Sequence, residues 1–130
     1  LPAVYPISAL KNLFTYQGPA PFSNAPFQQL EVVNLKSGFW GRYNEVSENW
    51  MAFADENNWG LAVYNPRCTN FLAGLSGVIN KEAMDGSTSY IAPVKKETLY
   101  KNCVYEYEYY ILVGNLDEMR AKIYELRAKN

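Results

Sequence analysis

Apolar and polar residues alternate in short runs along most of the chain, and only near its end does the spacing lengthen to that of a helix. The stretch "AVYPISALKNLFTY" reads as an extended apolar segment within residues 1–16. Pro6 places it at an edge or a bend, because proline cannot donate to a ladder. "QGPAPFSNAPF", Gln17 to Phe27, holds three prolines and a glycine and must be a loop. "QQLEVVNL" alternates briefly and predicts a strand. Asn49 to Ala54 and Trp59 to Tyr64 predict the two strands of a β-hairpin, joined by "DENN", whose residues tolerate left-handed backbone. Pro66 closes the second strand. A short strand is expected over residues 69–73, a long polar loop over 74–89, and another strand at "YIAPV".

The longest alternation is "TLYKNCVYEYEYYILVG", Thr98 to Gly114. Cys103, Tyr105, Tyr107, Tyr109, Ile111 and Val113 share one face, and Val104, Glu106, Glu108, Tyr110 and Leu112 the other. Both faces are mainly apolar or aromatic, which predicts a central strand covered on both sides. A helix follows. Asn115 suits the N-cap with Glu118 three residues on, Asp117 and Glu118 occupy the first turn, and Arg127 and Lys129 close the last. Leu116, Met119, Ile123 and Leu126 form a stripe that should dock on the sheet. The elements predict an all-β fold, mainly an antiparallel β-sandwich, with one C-terminal α-helix. No βαβ alternation supports a doubly wound sheet. The 130 residues fit one domain, 1–130, and a chain of this length can bury about two thirds of its unfolded surface.

Composition narrows the chemistry. The net charge is −1 and the basic residues are scattered apart from Lys95–Lys96 and the C-terminal tail, so no stripe exists for a nucleic-acid backbone. No apolar run approaches the roughly 20 residues that span a bilayer. "LPAVYPISAL" has neither the basic start nor the continuous apolar core of a signal peptide. A chain that opens on Leu rather than Met is expected to be either processed or cut from something longer, whose remaining domains would be partners. Cys68 and Cys103 match no metal spacing, and either a disulfide or buried thiols would fit. There is no histidine. Ser/His/Asp and Cys/His nucleophile systems and histidine-ligated metals are therefore excluded within this chain, no cofactor or metal site is expected, and acid–base work would fall to carboxylates, Tyr, Lys or Cys.

Aromatic residues make up 15% of the chain, with eleven tyrosines. Such rings suit half-buried strands and recognition surfaces alike. Glu106 and Glu108, two apart on one expected strand face, are the candidate catalytic pair at about 6.5–7 Å between Cα atoms. The competing reading has them solvated, or paired with Lys95, Lys96 or Lys101. A second constellation surrounds the hairpin. Trp40 and Tyr43 stand beside Glu45 and Glu48 at a strand entrance, with Trp50 and Trp59 in the strands. These six are the candidate sugar-binding residues, because a ring can stack on a sugar's C–H face while a carboxylate accepts its hydroxyls. The alternative is that the tryptophans fill the core.

Taken together, "PAVY…LKNLFTYQGPAPF", "ENWMAFADENNWGLAVYNP", "STSYIAPV" and "VYEYEYYILVGNLDEMRAKIYEL" resemble the C-terminal part of large secreted bacterial β-sandwich proteins associated with polysaccharide breakdown. The resemblance covers most of the chain, and its motifs look structural rather than catalytic. It implies a secreted or periplasmic setting and a place in a larger sandwich. The function expected is that of a carbohydrate-associated, glycoside hydrolase-like domain contacting glycan or polysaccharide through aromatic and acidic residues. Whether it is enzymatic stays open. The alternatives are a non-catalytic sugar-binding or scaffold domain, or an interaction module with no sugar role.

Overall fold

The computed structural model describes residues 3–7, 9–32, 34–35, 43–76 and 88–129. Its elements are β1 (Asn12–Thr15), β2 (Gln28–Leu30), β3 (Asn34–Leu35), β4 (Tyr43–Glu45), β5 (Trp50–Ala54), β6 (Trp59–Tyr64), β7 (Asn70–Ser76), β8 (Thr88–Val94), β9 (Tyr110–Asn115) and α1 (Leu116–Ala128). One sheet runs β2-β1-β5-β6-β9, all antiparallel. In the other, β8 lies antiparallel along the whole of β7, while β4 (antiparallel) and β3 (parallel) share the opposite edge of β7. This is the expected mainly antiparallel β-sandwich with a C-terminal helix.

The β5–β6 hairpin forms where the alternation predicts it. Asp55 Oδ1 accepts the amides of Asn57 (2.8 Å) and Trp59 (3.0 Å), and Asn58 takes the left-handed conformation at φ 60°. The turn is thus closed by a short side chain bonding its own backbone. The two-residue period then sends side chains to opposite faces. Met51, Phe53 and Val63 point inward with Leu13, meeting Phe71, Ala73 and Ile91 of the smaller sheet. Trp50, Ala52, Ala54, Ala62 and Tyr64 point outward, where Leu116, Met119 and Ile123 of α1 cover them. Each of those three helix side chains contributes about 1.5–3 kcal/mol by leaving water. Asn115 caps α1, its side chain accepting the Asp117 amide at 3.0 Å.

The N-terminal apolar segment divides between the sheets. Val4 and Ile7 bridge to Ile91 and Thr88 of the smaller sheet, and β1 then enters the larger one. "QQLEVVNL" also divides, with β2 in the larger sheet and β3 in the smaller. The loop after β1 lies over the helix-side face, where Phe22, Ala25 and Phe27 pack. β7 runs to Ser76, beyond the expected short strand, and β8 begins at Thr88; the rest of the expected loop lies outside the described residues.

The expectation for Thr98–Gly114 is corrected. Only Tyr110–Asn115 forms a strand, it ends the sheet rather than occupying its centre, and Thr98–Tyr109 is irregular. The reason lies in the partner. β6 offers six residues, its last pair is Tyr64↔Tyr110, and Asn65–Pro66 then turns away. Beyond that point the alternating segment has no ladder to join. Ile111 and Val113 lie past the cover of the smaller sheet and are 51% and 62% exposed. Cys68 is buried, Cys103 exposed, and both are free thiols. No helix among the described residues is long and apolar enough to cross a membrane.

Candidate functional site: a buried carboxylate and a tyrosine-lined groove

Of the six candidate sugar-binding residues, the five that are described do not converge on one surface. Trp40 lies outside the described residues. Tyr43 and Glu45 are exposed on β4, against Leu72 and Asn70 of β7. Trp59 is 48% exposed at the turn end of the hairpin. Trp50 begins the opposite end, paired with Tyr64, and is buried, as is Glu48.

Glu48 is the most highly coordinated side chain of the described residues, and it is coordinated internally. Its Oε1 accepts Arg120 Nε (2.9 Å) and the Trp50 indole N–H (3.0 Å). Its Oε2 accepts Arg120 Nη2 (3.0 Å), the Phe22 amide (2.8 Å) and the Tyr124 hydroxyl (2.7 Å). Arg120 also donates to the Ala25 carbonyl at 2.6 Å and lies 5.3–5.6 Å from the ring centres of Tyr16, Phe27 and Tyr124. Burial disfavours the Glu48 charge, yet the bonds from Arg120, Trp50, Tyr124 and Phe22 outweigh it and hold the carboxyl below its ordinary value. Burial and the bond to Glu48 push the Tyr124 phenol up. One carboxylate therefore ties the hairpin, the proline-rich loop and the helix together. Neither of its oxygens faces solvent, so its role is architectural.

The concave surface lies elsewhere. A cavity of about 560 Å³ is walled by Asn65–Cys68 after β6, by Lys95 and Glu97 after β8, and by Tyr105–Glu108 with Tyr110. That volume falls in the range of small-ligand sites. A second hollow of about 520 Å³ shares Lys95, Glu97, Tyr105 and Tyr107 with the first and adds Pro93, Leu99 and Tyr109. Tyr107 borders both hollows, donating to the Pro93 carbonyl at 3.3 Å with its hydroxyl 3.9 Å from Cys68 Sγ. Burial, then the neighbouring Cys68, push the Tyr107 phenol well above its ordinary range, and burial likewise raises the Cys68 thiol. Both stay protonated at neutral pH, as packing groups rather than nucleophiles.

Glu106 and Glu108, expected on a strand face, stand on the irregular segment and line this cavity. Glu108 accepts the Tyr110 hydroxyl at 2.8 Å, and Lys95 pairs with Glu97 at 3.0 Å rather than with either of them. Arg67 adds an exposed guanidinium to the wall. Asn65, Arg67, Glu97 and the tyrosines were missed as site residues by the sequence reading. The only signal was the tyrosine alternation itself, which reads equally well as a buried strand. Among the described residues, no group of three His, Cys, Asp or Glu side chains could hold a metal ion.

No protein-family model, curated protein or solved structure matches the chain.

Proposed function

We propose that the chain is a carbohydrate-contacting β-sandwich domain of a polysaccharide-processing protein, with glycan seated in the groove along Tyr105–Tyr110. The observation that supports this is the meeting of tyrosine rings, carboxylates and a guanidinium around one concavity. Rings supply flat apolar faces for sugar C–H groups, and Glu106, Arg67 and Asn65 supply acceptors and donors for hydroxyls. The domain holds its ligand rather than cleaving it. Glu97, Glu106 and Glu108 are all exposed, whereas a carboxyl that delivers a proton near neutral pH is kept in apolar surroundings.

The test is affinity electrophoresis through gels containing soluble polysaccharides. Tyr105→Ala and Glu106→Gln should abolish retardation while the thermal midpoint stays within about 2 °C of wild type, since both residues are exposed surface positions. Retardation that survives both substitutions would remove the ligand from this groove. A second reading, an interaction domain, is favoured by β9, a terminal strand with Ile111 and Val113 exposed. It predicts that Val113→Lys, and not Tyr105→Ala, abolishes association with the rest of the parent protein.

A further inference from the structure

The two hollows adjoin, share four residues, and are lined in opposite ways. The first presents Asn65, Arg67, Glu106 and Glu108; the second presents Pro93, Leu99 and Tyr109. Tyr105 and Tyr107 stand in the shared wall, and Tyr109 continues the row in the second hollow. Tyr105 and Tyr107 have ring centres 6.4 Å apart with planes at 41°, and Tyr107 and Tyr109 are 5.9 Å apart at 60°. Steps of this size follow from side chains two residues apart on extended backbone, and they are close to the length of one sugar ring. The planes are turned against one another at each step. A flat crystalline face needs coplanar rings, so this row cannot lie flush on one, whereas a single glycan chain can turn its rings with the tyrosines. Charge narrows the class further. Arg67 and Lys95 stand against Glu97, Glu106 and Glu108 in the first hollow, leaving an excess of negative charge that repels uronates and sulfated sugars.

Resting on the carbohydrate reading above, we infer that the groove takes a single, soluble, neutral glycan chain that runs through both hollows, its hydroxyls read in the first and its apolar faces stacked in the second. A monosaccharide fills only one hollow and forgoes the contacts of the other. The chain gains by linkage, because the second set of contacts follows without a second loss of translational freedom.

Isothermal titration calorimetry of the folded domain tests this, using the glucose, xylose, mannose and galactose β-1,4 series from one to six sugars. Polygalacturonate and microcrystalline cellulose serve as further probes. For at least one neutral series, affinity should rise at least tenfold from the monosaccharide to the hexasaccharide. Leu99→Ala, at a position 61% exposed, should remove most of that gain. Affinity that does not change with length, or a Leu99→Ala variant that keeps the full gain, overturns the two-hollow path. Tighter binding to polygalacturonate overturns the neutral class, and adsorption to microcrystalline cellulose in preference to soluble chains overturns the single-chain form. Failure of every probe to bind, with the fold intact by circular dichroism, overturns the carbohydrate reading itself.

Discussion

Replacing Glu48 by Gln preserves the shape of a fully buried side chain and removes one acceptor oxygen. In the native chain five donors converge on the carboxylate, two on Oε1 and three on Oε2. A carboxamide meets them with one oxygen and an NH₂ group. Turned one way, the NH₂ faces Arg120 Nε and the Trp50 indole; turned the other, it faces Arg120 Nη2 and the Phe22 amide. Tyr124 can rotate its hydroxyl, but these four groups can only donate. Either orientation therefore strands two buried donors, at about 1–3 kcal/mol each, and the expected loss is about 2–6 kcal/mol. The figure agrees with the roughly 3–5 kcal/mol for removing one partner of a buried ion pair. Urea denaturation followed by tryptophan fluorescence at pH 7 measures it as a lower midpoint at constant slope. A Glu48→Leu/Arg120→Met double variant should lose at least as much as Glu48→Gln, because the Trp50 indole, the Phe22 amide and the Ala25 carbonyl are then left without their partners. A Glu48→Gln variant within about 0.5 kcal/mol of wild type, well below even one stranded donor, would refute this account of the helix and loop attachment.

The same carboxylate sets an acid dependence. Its folded value lies below the ordinary 4.5, so its contribution is fully present above that value and is lost as pH falls through the folded one. The gap in stability between wild type and Glu48→Gln should therefore narrow from pH 7 to pH 3, and a constant gap would show that the charge does not matter. At Gly60 an added Cβ would fall on the Phe53 carbonyl oxygen and 2.7 Å from Ala54 Cα. Neither backbone atom can rotate away, so Gly60→Ala should cost about 1–3 kcal/mol or more in a thermal melt; an unchanged midpoint would contradict the hairpin register. Because Cys103 is exposed and Cys68 buried, Ellman's reagent should titrate Cys103 rapidly in the native protein and Cys68 only in denaturant. Rapid reaction of both thiols would mean that the wall beside Tyr107 opens freely.

The hairpin and the helix were legible in the sequence because both are specified by local chemistry. Asp55 and Asn58 make their own turn, Asn115 makes its own cap, and the two periods set which side chains can share a face. The sandwich class followed from the same short-range rules. The reading of Thr98–Gly114 failed because alternation shows that a segment can be a strand, not that a neighbour exists for it to pair with; β6 ends at Tyr64, and β9 therefore starts at Tyr110.

The site was least legible for a related reason. Glu48 looked like a free acid beside aromatic rings, and nothing near it in the chain announces Arg120, 72 residues away. Once the helix docks, that distant guanidinium turns a plausible ligand group into a structural tie. The groove, conversely, gathers Asn65–Cys68, Lys95, Glu97 and Tyr105–Tyr110 from three separate segments. Where the chain turns, which faces are apolar and where the helix begins follow from residues a few positions apart. Which acids are spent inside and which rings line a cavity follow from packing, because desolvation and pairing depend on what arrives from elsewhere in the chain.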